Sequence, residues 1–378
     1  MLAGCVLLIL LGGLLLAKTA SIQQLPSSLS GLCAYDDLVV SPSMQAAEQG
    51  NVAAQSTGAH IYARGTNGEY KEVAFIGDTL LVGGCTASSH FIVLSVFTQS
   101  STYNMYVFVR NPDGEMQWKQ GQELTLQFPA TSGIISTSLA STDNLFVATQ
   151  QMPNPINTGS VYTFFFNEAT GQFTESTTII SGAIDIYSGA ASFLKASVYG
   201  TKLAVTGLPG LASNATCATN VFTFDSASNG FVFESELPHT LLTPALGKGG
   251  LLASSTKTGV DLYTFDDKQR KFVLSDSFVS PPSAEENRGT KSLAFSADGS
   301  YLVRTLGPYN YASSTGCVVM KLQGNKVAAI TTDTYGASPL TMTCVAGGQV
   351  WGRCVWDASQ PDAKAVTLEL LPFSDSKA

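Results

Sequence analysis

A short aromatic-rich strand followed by a polar turn recurs six times along this chain, and no other feature restricts its fold as much. The copies are His60–Arg64 with Asn67-Gly68-Glu69-Tyr70, Met105–Val109 with Asn111–Gly114, and Val161–Phe164 with Gly171-Gln172-Phe173. They continue as Val221–Phe224 with Asn229-Gly230-Phe231, Leu262–Phe265 with Lys271-Phe272, and, weakest, Val318–Lys321 with Gly324–Val327. Their spacing, roughly 40 to 60 residues, is the period of sheet-sized units that bury their faces only against neighbouring copies.

A second series interleaves with the first: Leu38–Val40, Leu80–Gly84, Leu145–Ala148, Leu203–Val205, Leu251–Ala253, Leu302–Arg304 and Val350–Gly352. Near-continuous apolar runs bounded by turns fit strands buried on both faces. The alternation of Tyr or Phe with small residues in the first series fits strands packed between adjacent sheets. Together the two series predict an all-β propeller of about seven four-stranded blades. Its ring would close by pairing Asp37–Val40 with the C-terminal run Ala365–Leu371, which hides the sheet edges. Phe91–Phe97 reads as an additional strand.

The run Met1–Ala17 is apolar and ends at Lys18, so residues 1–21 read as a signal peptide or N-terminal membrane anchor, and residues 32–373 as a single propeller domain. The expected location is the secretory pathway, either extracellular or anchored at the cell surface. Outside that leader lie Cys33, Cys85, Cys217, Cys317, Cys344 and Cys354, an even set that suits disulfides in an oxidising compartment. Asn214-Ala215-Thr216 is a glycosylation sequon. A net charge of −8 with no basic stripe argues against a nucleic-acid partner.

Chemistry-bearing motifs are sparse. The three histidines, His60, His90 and His239, have no metal-ligand spacing, and the sequence contains no C-x-x-C, no Gly-x-Ser-x-Gly and no phosphate-binding loop. No catalytic residue, metal site or cofactor is therefore expected. Asp36, Asp37, Asp143 and Asp185 lie beside or between strands, where turn initiation accounts for them. Some of them would also reach a channel mouth.

Two resemblances follow. Gly159–Phe164 and its counterparts resemble FG-GAP repeats, the units of integrin-α-like propellers, and Leu293–Leu302 resembles the inner hairpin of WD40-type blades. Many FG-GAP blades carry an Asp-x-Asp-x-Asp-Gly calcium loop; Asp266-Asp267 and Asp298-Gly299 lack its alternating oxygen ligands. The resemblance implies a propeller with an adhesive or recognition role and carries over no metal site.

The function expected is thus recognition of a protein or glycan through the loop face. Tyr187, Tyr309, Tyr311 and the Met152–Asn157 loop would supply the contacts. The alternatives are an enzyme acting on carbohydrate or peptide at the central channel, and a structural subunit of a larger assembly.

Overall fold

The computed structural model describes residues 23–26, 32–44, 56–77, 80, 82–97, 103–110, 118–126, 136–152, 158–183, 194–208, 210–213, 218–237, 243–256, 259–279, 288–308, 316–334, 344–346, 350–356 and 366–373. Among them, six four-stranded antiparallel blades are each cut from four consecutive strands. Blade 1 comprises Cys33–Tyr35, Leu38–Met44, Ser56–Arg64 and Tyr70–Ile76; blade 2 comprises Val82–Ala87, Phe91–Phe97, Tyr103–Arg110 and Trp118–Leu126. Blade 3 comprises Ser136–Thr142, Leu145–Met152, Thr158–Asn167 and Gln172–Ala183; blade 4 comprises Lys195–Tyr199, Lys202–Leu208, Ala218–Asp225 and Gly230–Leu237. Blade 5 comprises Pro244–Gly247, Leu251–Ser255, Gly259–Asp266 and Lys271–Val279; blade 6 comprises Arg288–Phe295, Tyr301–Pro308, Gly316–Gln323 and Lys326–Thr334.

The expectation of about seven blades closed through Asp37–Val40 is corrected by this topology. Leu38–Met44 is the second strand of blade 1, paired on both sides within that blade, and is not available to the C-terminal run. Val366–Pro372 instead pairs with Gln23–Pro26 and with Val350–Trp356, which in turn pairs with Cys344–Ala346. That composite sheet joins the two ends of the chain and differs in construction from the six consecutive blades. Blade 2 brings a second correction. Phe91–Phe97 is no extra strand but the blade's second one, and Val82–Ala87, which begins inside the Leu80–Gly84 run, is the inner one.

Both strand series fall where their patterns demand. The aromatic series forms the third strand of each blade and the apolar series the second strand of every blade except blade 2. Side chains alternate across a strand, so each blade offers one apolar face to each neighbour. The core accordingly lies between blades. One cluster, with Val40, Ile61, Ile92 and Leu94, fills the junction of blades 1 and 2. Phe91, Phe146, Phe164 and Phe173 fill that of blades 2 and 3, and Val147, Val161, Leu203 and Phe222 that of blades 3 and 4. Val221, Leu252, Tyr263 and Phe272 join blades 4 and 5; Leu262, Leu293, Leu302 and Met320 join blades 5 and 6. Each such fully buried leucine or phenylalanine contributes about 2 kcal/mol of transfer free energy.

Polar groups stitch four of these junctions, from that of blades 2 and 3 onward. Near the inner strands, the Ser141 hydroxyl of blade 3 donates to the Ala87 carbonyl of blade 2 at 2.6 Å and lies 2.7 Å from Thr86 Oγ1. Thr149 of blade 3 donates to the Leu194 carbonyl at 3.2 Å, and Ser197 of blade 4 accepts the Leu246 N–H of blade 5 at 2.9 Å. At the outer strands, the Gln122 amide of blade 2 pairs with both backbone groups of Phe173 in blade 3, and Asp276 of blade 5 accepts the Val327 N–H of blade 6.

The polar turns of the recurring motif have one construction in blades 3, 4 and 5. The Asn167, Asp225 or Asp266 side chain accepts backbone N–H groups two and three residues on. The fourth residue on takes a left-handed conformation: Gly171 (φ 65°), Asn229 (φ 50°) and Arg270 (φ 53°). Glycine and asparagine are at ease there. Phenylalanines flanking the turn then face each other, as in Phe224–Phe231 and Phe265–Phe272, with ring centroids 5.6 and 5.2 Å apart. The hairpin at Leu293–Leu302 is the inner hairpin of blade 6, its turn held by Asp298 accepting from Ser296 and Ser300.

Candidate functional site

Antiparallel strands taken in order send alternate connections to opposite ends of a blade. The links from inner to second strand and from third to outer strand leave from one end, here the turn end. The links from second to third strand and from one blade to the next leave from the other, the loop end. Links at the turn end are short: residues 36–37, 143–144 and 200–201 are two residues each, and the longest, 111–117, is seven. Links at the loop end reach eleven residues, at 45–55 and 184–194. More residues of the chain thus lie between strands at the loop end than at the turn end.

The contact residues expected from the sequence, Tyr187, Tyr309 and Tyr311, fall in links of the loop end by their position in the chain, and so does Asn214. All four lie outside the described residues, as do Cys217, Asp185, His239 and 153–157. Of the cysteines, Cys33 and Cys85 form a disulfide between the inner strands of blades 1 and 2. Cys317, buried in blade 6, is disulfide-bonded as well. Cys344 and Cys354 lie in strands of the composite sheet, with side chains outside the described residues.

The loop end has one described ledge, Gly210–Ser213 in blade 4. Glu236 on the outer strand accepts the Ala212 N–H at 2.7 Å, the Ser213 N–H at 3.2 Å and the Ser213 hydroxyl. Burial pushes the Glu236 carboxyl up, but these donors outweigh it and hold the group below the usual carboxylate range. Fully buried Asn220 accepts the Leu211 N–H at 3.2 Å. Sequence reading missed this ledge because its clamp stands 23 residues from Ser213.

At the turn end, three of the carboxylates noted in the sequence come together. The Tyr35 hydroxyl of blade 1 and the Ser89 hydroxyl of blade 2 both donate to one oxygen of Asp143 in blade 3, the latter at 2.8 Å. Asp36 and Asp37 occupy the adjoining turn, with the Arg64 guanidinium 3.7 Å from Asp37. Burial first, then the charge of Asp37, raises the Asp36 carboxyl; Arg64 opposes this and Asp143 adds to it. Burial and then the bond to Asp143 push the Tyr35 phenol up, so it stays a proton donor. Three blades therefore meet at one polar node, and 108 residues of chain separate Tyr35 from Asp143.

A third cluster is structural. Glu234 of blade 4, its side chain 3% exposed, receives Lys202 Nζ, the Thr223 hydroxyl at 2.5 Å and the Arg270 guanidinium of blade 5 at 2.8 Å. Lys202 also lies 4.1 Å from the centre of the Phe265 ring. Among the described residues no group of three or more His, Cys, Asp or Glu is arranged to hold a metal ion, and no helix is long and apolar enough to cross a membrane.

No protein-family model matches the chain, and no curated protein resembles it in sequence. Solved structures do match in fold. The Cps50 (Swd1) β-propeller domain of Myceliophteria thermophila aligns over 94% of this chain and 100% of its own, at 11% identity and a TM-score of 0.54. A chain of the mitotic checkpoint complex aligns over 94% and 96%, at 10% identity and a TM-score of 0.53. A provisionally assigned 6-phosphogluconolactonase from Bacteroides uniformis aligns over 89% and 97%, at 10% identity and 0.54. The chain is a β-propeller. At these identities the likeness concerns the propeller fold alone, shared by WD40-like and lactonase-like neighbours, and it does not single out the FG-GAP group.

Proposed function

We propose that this propeller is a recognition module of the secretory pathway, secreted or membrane-anchored, that binds a protein partner through its loop end. The observation that carries this reading is the inequality of the two ends: long links collect at one end of a scaffold stitched at every junction between blades 2 and 5. Binding surfaces are built from loops on rigid supports of this kind. The Cys33–Cys85 disulfide suits an oxidising compartment and so favours export. One propeller of the same fold belongs to the mitotic checkpoint complex, an instance of the fold serving in a protein assembly.

The test is affinity capture with the full chain from membranes and secreted material. One saturable partner should be recovered, and replacing Tyr309 and Tyr311 together by Ala should weaken its binding by at least about tenfold. A glycan ligand in place of a protein would show as capture lost after enzymatic deglycosylation of the material. Recovery of the chain in the cytosol with residues 1–21 attached would defeat the export part of the reading.

A second reading, turnover of a small substrate at the channel, draws on the gathering of Asp36, Asp37 and Asp143 at the turn end. It requires that Asp143→Asn abolish an activity found on glycans or peptides while leaving capture intact.

A further inference from the structure

Cys317, on the third strand of blade 6, is disulfide-bonded, and the packing around it points to the partner. It is buried beside Val303 and Val319, and this face of blade 6 meets the composite sheet. The Phe373 ring, just past Val366–Pro372, stacks on Tyr301 with centroids 4.3 Å apart. Cys344–Ala346, at the edge of the composite sheet, packs against the first two strands of blade 6. A disulfide needs Cα atoms within about 7 Å and Cβ atoms directed at each other. The composite sheet offers two cysteines, Cys344 and Cys354.

Register separates them. Side chains alternate along a strand, and directly paired residues share a face. In all six blades the first residue of the second strand faces the following sheet: Leu38, Phe91, Leu145, Lys202, Leu251 and Tyr301. The residue after it faces the preceding sheet, as Leu252 and Leu302 do. Counted in the same way from Val350, Trp351 and Arg353 take the face toward blade 6, and Cys354 takes the opposite one. Phe373 checks this count independently. It stands two residues beyond Leu371, the partner of Trp351, and it touches blade 6. Cys344 pairs with Arg353 and therefore shares that face. Both cysteines also stand toward the loop end, Cys317 as the second residue of its strand and Cys344 as the first of its own. The Cys33–Cys85 bond obeys the same rule: Cys33 pairs with Val40 and Cys85 with Leu94, and both partners belong to the cluster between blades 1 and 2. Cys217 adjoins Ala218 of blade 4, and blade 5 stands between that blade and blade 6.

We propose that Cys317 is bonded to Cys344, so that a covalent bond fastens to blade 6 the sheet in which the two ends of the chain meet. In forming it the two thiols give up two protons and two electrons to a disulfide oxidant, which leaves as a dithiol. The loop it closes contains the outer strand of blade 6, Lys326–Thr334. Cys354, on the opposite face, takes no part.

The test maps the disulfides of the full chain, secreted from a eukaryotic host, alkylated, and digested with trypsin without reduction. Trypsin cuts after Arg353, so the two competitors fall on separate peptides, 327–353 with Cys344 and 354–364 with Cys354, while Cys317 lies on 305–321. The expected result is a linked species of 305–321 with 327–353 that reduction splits into its halves. A link from 305–321 to 354–364, or to the peptide of Cys217, overturns the assignment, and so does an alkylated Cys317. The mapping is done on wild type, so no variant has to fold. A second measurement labels denatured, unreduced variants with a maleimide. Cys344→Ser should gain label on 305–321, and Cys354→Ser should not; the reverse pattern overturns the proposal.

Discussion

Glu234 shows how one side chain ties two blades together. Burial alone would raise its carboxyl, yet the Lys202 and Thr223 hydrogen bonds and the charges of Lys202 and Arg270 hold it below the ordinary value of 4.5. Its stabilising effect is therefore complete above the unfolded value and is lost as pH falls through the lower folded one. Glu234→Gln should cost about 2 kcal/mol at pH 7, since Lys202 loses its counter-charge. The gap between mutant and wild type should narrow as urea titrations are taken below pH 4.5. Arg270, which shares that carboxylate, occupies a left-handed position where blades 3 and 4 use Gly171 and Asn229. Arg270→Gly should leave stability within about 0.5 kcal/mol of wild type, because relief of backbone strain offsets an ion pair whose guanidinium end is exposed. A loss above about 2 kcal/mol in a denaturant titration would show the pair to dominate. None of this was legible in the sequence. Lys202, Glu234 and Arg270 are ordinary surface residue types, and only the register of three strands and a turn in the next blade brings them together.

At the scale of the strand and turn, much was legible. Alternation of aromatic and small residues identified the third strands, and continuous apolar runs identified the second. Polar turns followed by an aromatic or apolar residue identified the third-to-outer hairpins. These patterns are local, so one chain segment contains them whole. Where a strand lacked an apolar run it escaped notice: Gln23–Pro26 carries two glutamines and a proline, and its pairing with Val366–Pro372 could not be foreseen. Blade 2 was misread because its inner strand begins in an apolar run resembling the second strands elsewhere. The turn construction makes its own prediction. Asn167→Ala removes the acceptor for the Ala169 and Thr170 N–H groups at 3.0 and 3.3 Å and should lower stability by about 1 kcal/mol. Asn167→Asp, which keeps the acceptor, should restore most of that in the same thermal melt.

For the molecule as a whole, stability resides in the junctions between blades, each an apolar cluster, with polar bridges added from blade 2 to blade 6. The junction of blades 1 and 2 adds a covalent bond, Cys33–Cys85, across 52 residues of sequence. Blade 1 needs it most, since its inner strand, Cys33–Tyr35, is three residues long. Replacing both cysteines by serine should cost about 3 kcal/mol, seen as a lower denaturant midpoint that added reductant then lowers no further through this bond. An unchanged midpoint would mean that the Tyr35–Asp143–Ser89 node already secures that strand. The composite sheet has a directional consequence. Gln23 pairs with Leu370, and Pro372 pairs with Val350 just after the short link 347–349, so Gln23 enters at the turn end of its sheet. If residues 1–21 remain as a membrane tether, the bilayer lies on the side of the short turns. The end with the long links then faces outward, and a fluorophore on residue 211 should sit farther from the lipid surface than one on residue 200.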